Sequence, residues 1–400
     1  MKTYFNLLKT PGIARILTSQ LTARFPFGML SLSFLIHIQG VYGSYAIAGT
    51  VLAAMSLGQA SFGPVTSRMM SNFGIRKVVG TTIAICCVTI TAMAFLPLPP
   101  VLLVIFGFIA GATYPPIQPA VRTIYPKMVN PASLTPLFSL DAAAQEIIWI
   151  VGPVLATFVA IGVNSVAGIM VSVGFFIVGG LWFMSTPIVG KIAIPLSRTK
   201  FGGVLKLPTV IISTLVGMLL VSTFAAVEAG IVAVFGNGSS ESGWVLASFA
   251  FGSLVGGLAW GHVHIRPSSL AFRLSLVAAG LIAAMMSTDF WWLTIMLFIS
   301  GLGVAPALTV LFTMISATVK FSSTAESFAW AGSGQLIGAG LGSAVAGFAI
   351  DLISPMAAIA TAAALGIIAT ICALIARPWI PDLRGRHATP IPDTASHDVV

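Results

Sequence analysis

Charge is scarce in this chain. Only 7% of its 400 residues are Asp, Glu, Lys or Arg, against about 25% in soluble domains. With 57% of residues hydrophobic and a mean hydropathy of +1.03, no soluble fold of this length could cover the apolar surface, so lipid must be its solvent. Acids are scarcer than bases, 10 against 19, and the pI is near 9.8. A nucleic-acid partner is not indicated, because the bases do not gather on one module. They are spread over loops, where they report topology and contact with anionic headgroups. Cysteine is nearly absent. Cys86, Cys87 and Cys372 sit inside apolar stretches without disulfide or metal-ligand spacing, and read as small buried hydrophobes. A glycine-rich phosphate loop with its lysine is missing, which argues against ATP drive. Clustered His, Asp or Cys at a surface is missing too, which argues against an enzyme, a metal site or a cofactor. A receptor would call for a sizeable soluble domain, and there is none.

What is present is a series of apolar stretches, each near the roughly 20 residues that a spanning helix needs. They are 14–38, 45–70, 78–96, 99–122, 134–160, 164–186, 208–233, 244–264, 270–288, 291–317, 325–351 and 355–376. The loops 39–44, 97–100, 161–165, 234–243, 289–290 and 352–355 contain no Lys or Arg. The alternate loops hold Arg76 and Lys77, Lys127, Arg266 and Lys320, and the longest holds Lys191, Arg198, Lys200 and Lys206. That asymmetry is the positive-inside pattern. It predicts a multi-pass protein of the cell membrane with both termini cytoplasmic. The expected organisation is a six-helix bundle over 1–186, a basic cytoplasmic linker over 187–207, a second bundle over 208–376 and a disordered tail over 377–400, rich in Pro and polar residues.

The two halves repeat one another. FIAGATYPPIQPAVRTIYPKMV (108–129) lies over FISGLGVAPALTVLFTMISATV (298–319), so that Gly111 meets Gly301, Pro116 meets Pro306 and Thr123 meets Thr313. In the same register Gln145 meets Gln335 and Gly152 meets Gly342. Gly58 and Gly63 lie over Gly252 and Gly257. Both halves start from the cytoplasm, so the repeat is parallel, its axis runs along the membrane normal, and a substrate site belongs between the halves near the midplane.

Two halves of six spans, a basic central loop and a parallel repeat resemble the major facilitator superfamily over nearly the whole chain. The segments RFPFGM (24–29), GSYAIAG (43–49), LDAAAQE (140–146) and VGP (151–153) look like a bacterial efflux-type subfamily of it. The resemblance implies an all-α integral membrane fold of twelve transmembrane helices in two pseudo-symmetric bundles. The family's loop between the second and third spans reads like G-x-x-x-D-R-x-G-x-R-[RK]. Here it runs from Ser67 to Lys77, keeps Gly74, Arg76 and Lys77, and has Ser71 and Asn72 for the Asp–Arg pair. In the family that Asp latches the halves, so its loss bears on the latch and not on the fold. The fourth-span arginine of many proton-coupled drug exporters would fall at Gly107 and is missing. Of the fifth-span antiporter motif, Gly152-Pro153 remains. The function implied is secondary active transport by alternating access, with proton-coupled export of a small amphipathic or hydrophobic compound leading. Proton-coupled import of a small nutrient is the alternative, and a non-transporting receptor or enzyme the remote one. The expected partners are a small-molecule substrate, protons and the bilayer, and the protein is expected to be a monomer.

Charge inside a membrane is costly and usually paired or functional. Arg24 lies about 15 Å into the first span and Glu146 about 18 Å into the fifth, at 1.5 Å per residue. The two spans are neighbours in the superfamily, so an Arg24–Glu146 pair is expected, either as a structural bridge or as a proton-coupling device. A carboxyl released from its arginine in low dielectric favours the neutral form. Asp141 sits about a turn below, and with Gln145, Ile148 and Gly152 marks one stripe of the fifth span. An Arg122–Asp141 bridge is expected to close the cytoplasmic end of the first half, with Gln118 a turn above Arg122. Glu228, near the outer end of the seventh span, is a further proton-coupling candidate with an interfacial acid as its bland alternative. Glu326 is expected to cap the eleventh span through the helix dipole, and His37 to be structural. His262 and His264 lack a third ligand and are not expected to bind metal. Candidate cavity residues are Phe27, Tyr114, Gln118, Gln145, Trp149 and Gln335, with Phe25 and Trp330 weaker ones. Gly334, Gly338 and Gly342 have the spacing of a close helix contact. Pro26, Pro115, Pro116 and Pro119 should bend the first and fourth spans.

Overall fold

Hydrocarbon offers no hydrogen-bond partners, so backbone that crosses it must satisfy itself within helices or closed barrels. The computed structural model describes residues 2–192, 194–195, 200–236, 239–260, 263, 265–384 and 388–393. Among them the chain is helical throughout, with one isolated bridge, Lys320 to Ile391, in place of any strand. His262 and His264 lie outside the described residues.

Ten helical stretches among the described residues are long and apolar enough to cross a membrane. They are α1 (Ile13–Tyr42), α3 (Ile75–Phe95), α4 (Pro100–Lys127), α5 (Pro131–Ala160), α6 (Ser165–Ser185), α7 (Pro208–Phe235), α8 (Ser240–Trp260), α10 (Phe290–Thr318), α11 (Phe321–Leu352) and α12 (Pro355–Ile375). Two more helices fall where the remaining spans were expected: α2 (Tyr45–Phe73), long and less apolar, and α9 (Ser269–Ala284), apolar and shorter. The predicted bends are present. α1 breaks at Phe25, before Pro26, and α4 is interrupted between Ala112 and Ile117, across Pro115 and Pro116. Proline lacks the donor that would continue the ladder and crowds the preceding turn. Gly74, alone between α2 and α3, adopts φ +84°, a conformation natural to glycine.

Glycine sets the helix spacing, and it does so twice. A Cβ on Gly58 of α2 would strike the Phe108 carbonyl of α4, and one on Gly252 of α8 would strike the Phe298 carbonyl of α10. Gly111 meets Met55 as Gly301 meets Phe249. The residues that the sequence repeat lays over one another thus make the same contact in each half. Gly334, Gly338 and Gly342 press on Thr214, Met218 and Ser222 of α7, which is the close approach their spacing predicts.

Described residues of the tail contact the helical body. The Leu383 N–H donates to Ile265 O at 3.0 Å, Ile391 N–H to Val319 O at 3.1 Å and Ser316 Oγ to Ala388 O at 2.7 Å. The second of these contacts satisfies the Val319 carbonyl just past the end of α10.

Candidate functional site

At mid-height a cavity of about 180 Å³ opens between the halves. α1, α2, α4 and α5 line one side, and α7, α8, α10 and α11 the other. Arg24, Phe27, Tyr114, Gln118, Gln145, Glu146, Trp149 and Gln335 all face it. The six residues Phe27, Tyr114, Gln118, Gln145, Trp149 and Gln335 thus share one lining. Phe25 instead stacks on Phe175, and Trp330 packs against Phe201. Glu228 does not line the cavity. Its side chain is exposed on α7.

One wall is aromatic. Phe27 meets Trp149 edge-on at 5.2 Å, Trp149 meets Phe224 at 6.0 Å and Phe224 stacks on Phe249 at 5.6 Å. The row runs from α1 through α5 and α7 to α8 and so crosses between the halves. Phe224 and Phe249 carried no sequence signal, being two among 26 phenylalanines.

The opposite chemistry gathers around Asp141, which is fully buried. Arg122 Nε donates to it at 3.0 Å, Gln20 Nε2 at 3.0 Å, Tyr125 OH at 3.1 Å and Arg24 Nη1 at 3.5 Å. Arg24 also donates to Gln20 Oε1 at 2.9 Å and to Gln145 Oε1. With its amide oxygen turned to the arginines, Gln118 accepts from Arg122 at 2.7 and 2.8 Å and from Arg24 at 3.2 Å. The expected Arg122–Asp141 bridge is present. The expected Arg24–Glu146 pair is not: Arg24 reaches Asp141, while the Glu146 carboxylate accepts from Ser253 Oγ of α8 at 2.8 Å. The cause is helix rotation. Residues 141, 145, 148 and 152 share a face, and that face meets α1, where Gly152 touches Gly28. Glu146 is turned about 100° from Gln145 and looks across at α8. Gln20 and Tyr125 were missed, although Gln20 stands one turn from Arg24 and so on its face. Ser253, a small residue among glycines, gave no signal.

The halves meet on the side that carries the basic loops. Ser139 and Tyr4 both donate to the Gly257 carbonyl, the latter at 3.1 Å. Ser333 Oγ donates to Ala60 O at 2.7 Å, and Thr324 faces Thr123 at 3.4 Å. Arg68 of α2 bridges Glu326 of α11 at 3.2 Å, and the other Glu326 oxygen accepts from the linker's Gly202 N–H at 2.8 Å. Glu326 thus holds α2 and the linker in addition to starting a helix. Of the loop motif, Arg76 lies against Gly190 and donates to Thr186 O at 3.4 Å, within its own half, and Lys77 is exposed. The bridge across the halves falls to Arg68, the motif's second residue.

A cavity between two repeated bundles, closed at one end, is the form of a carrier. The sequence profile of the Major Facilitator Superfamily matches residues 16–227 and 209–397. The chain belongs to the Major Facilitator Superfamily. Solved superfamily-like structures superpose over 91% of it. The human organic anion transporter MFSD10 (TETRAN) is 11% identical with a TM-score of 0.71, and 99% of its chain is covered. A bacterial homologue of the iron transporter ferroportin, in its outward-facing state with soaked iron, is 14% identical with a TM-score of 0.71 and 98% covered. The E. coli fucose:proton symporter FucP is 12% identical with a TM-score of 0.70 and 98% covered. At these identities the likeness is one of fold. No curated protein matches the sequence significantly. Superfamily membership indicates a transporter.

Proposed function

We propose that this superfamily member is a proton-coupled secondary transporter of a small amphipathic compound, working by alternating access through the cavity between its halves. One observation carries the reading. Glu146 is a buried carboxyl, 8% exposed, that faces the cavity and is hydrogen-bonded to the other half through Ser253. A group in that place senses cavity contents and holds the halves together at once, which is what coupling requires. Its protonation changes the Ser253 contact, so the charge state biases which arrangement of the halves is favoured. The closure through Ser139, Tyr4, Thr324 and Arg68 on the side of the basic loops, read with the positive-inside rule, supports an outward-open arrangement. The substrate's apolar part would lie on the Phe27–Trp149–Phe224–Phe249 row and its polar part toward Gln118, Gln145 and Arg24.

Direction follows the sign of coupling. Substrate and proton competing for the cavity gives exchange and export, the mode favoured by the retained Gly152-Pro153. Joint binding gives co-transport and uptake. The test is flux in proteoliposomes under an imposed pH gradient, followed with an internal pH dye, across amphipathic acids, amines and neutral compounds. Glu146→Gln should abolish gradient-driven flux and retain substrate counterflow. Gradient-driven flux at the wild-type rate in that variant would remove Glu146 from the mechanism.

A further inference from the structure

Around Asp141, taken without Glu146, the charges do not balance. Arg24 and Arg122 are both buried and share the single carboxylate of Asp141. Arg122 has the closer contact, at 3.0 Å against 3.5 Å, and Arg122 also lies 3.5 Å from the face of Phe312. Arg24 is the member that faces the cavity, and its other acceptors are the neutral amides of Gln20, Gln118 and Gln145. Neutral amides satisfy hydrogen bonds but leave the charge in place, and an uncompensated charge in low dielectric is costly. Two hydroxyls on the same lining, Ser67 Oγ and Tyr114 OH, are buried without a partner among the described residues. Polar groups so placed call for a ligand that brings acceptors.

We propose that the substrate is a small monoanion, a carboxylate on an aromatic or aliphatic body, that docks its headgroup on Arg24 and its body on the aromatic row, and that it binds jointly with the proton on Glu146. The proton clause rests on the function proposed above; the anion clause does not. The charged groups nearest along the same helices are Arg24 of α1, Arg122 of α4 and Asp141 of its own helix, while the contact that the Glu146 carboxylate itself makes is with Ser253. α8 brings Ser253, with Glu241 at its far end, and α10 brings the Ala305 N–H, which donates to Ser253 Oγ at 3.1 Å. Tyr4 and His37 approach α5 only near its two ends. With Glu146 ionised, the two acids cancel the two arginines. With Glu146 protonated, one positive charge remains for the anion. A proton and an anion therefore raise each other's affinity, because linkage is reciprocal. Species that bind jointly travel together, so the cycle is electroneutral co-transport. A dianion would overcharge the site, and a cation would meet Arg24.

Calorimetric titration of the full chain in detergent tests this, with 3-phenylpropionate, octanoate, their amides, 3-phenylpropylamine and 2-phenylethanesulfonate at pH 6 and pH 8. A carboxylate should bind at least about tenfold more tightly than its own amide, the scale of one charge-assisted hydrogen bond. The amine should bind most weakly. The sulfonate keeps its charge at both pH values, so tighter binding at pH 6 reads the protein alone. Arg24→Gln should remove the preference for carboxylate over amide, and Arg24→Lys should keep part of it. Since Arg24→Gln disturbs a buried network, the wild-type comparison is decisive by itself: if no carboxylate outbinds its amide, the anion site is wrong. A preference for carboxylates that neither pH nor Glu146→Gln alters keeps the anion site and overturns its link to Glu146.

Discussion

Asp141→Asn is the substitution whose consequence follows most directly from the structure. The Asp141 carboxylate accepts four donors, two from arginines, and is fully buried. An amide in its place fits the space but removes the only negative charge that Arg24 and Arg122 share. Breaking a buried ion pair by removing one partner costs about 3–5 kcal/mol. Spread over the unfolding entropy of a chain this long, about 2.1 cal/mol/K per residue, that is a fall of roughly 4–6 °C in Tm. The assay is thermal unfolding of the purified protein in detergent, followed by intrinsic fluorescence. Asp141→Asn combined with Arg122→Gln restores the charge count and should recover much of the loss, a non-additivity expected of residues in one network. An unchanged Tm in the single variant, or a double variant less stable than the sum of its parts, would refute the account of the cluster.

Other consequences are as open to measurement. Gly338→Ala places a methyl against the Met218 carbonyl, and overpacking of this kind costs about 1–3 kcal/mol; a lower Tm with α7 and α11 pushed apart is expected, and wild-type stability would show the contact to be slack. Glu326→Gln loses the charge of the Arg68 bridge and should make a cysteine at Ala60 react faster with a thiol reagent added from the basic side. An unchanged rate would show that the bridge does not help to hold the halves closed. Trp149→Ala removes the ring that links Phe27 to Phe224, and should weaken substrates with an apolar body more than it weakens their short-chain analogues. Equal losses would move the apolar contact elsewhere.

Much of the fold was legible because membrane solvent punishes exceptions. Apolar stretches of spanning length marked ten of the helices. The glycines of the repeat named helix contacts that the structure makes in both halves. Gln118, Gln145 and Gln335 were legible as polar groups inside apolar helices, and they line the cavity. Pairing was less legible. Arg24 and Glu146 lie at similar depths, but depth along two helices does not fix rotation, and a single residue step turns the side chain from α1 toward α8. Nor does an apolar helix reveal which of its phenylalanines face a cavity. Arg68 was hidden differently: the eroded loop motif drew attention to Arg76 and Lys77, while the bridge to the other half formed at the residue that the motif leaves unspecified.

The central claim is that the charge on Glu146 governs which way the halves are arranged. The direct measurement is the distance between spin labels on Asn72 and Ser322, on either half at the basic side, in lipid nanodiscs from pH 5.5 to pH 8.5. The account predicts a distribution that shifts with pH in the wild type and stays at its low-pH form throughout in Glu146→Gln. A Glu146→Gln protein whose distances still follow pH as the wild type does would contradict it.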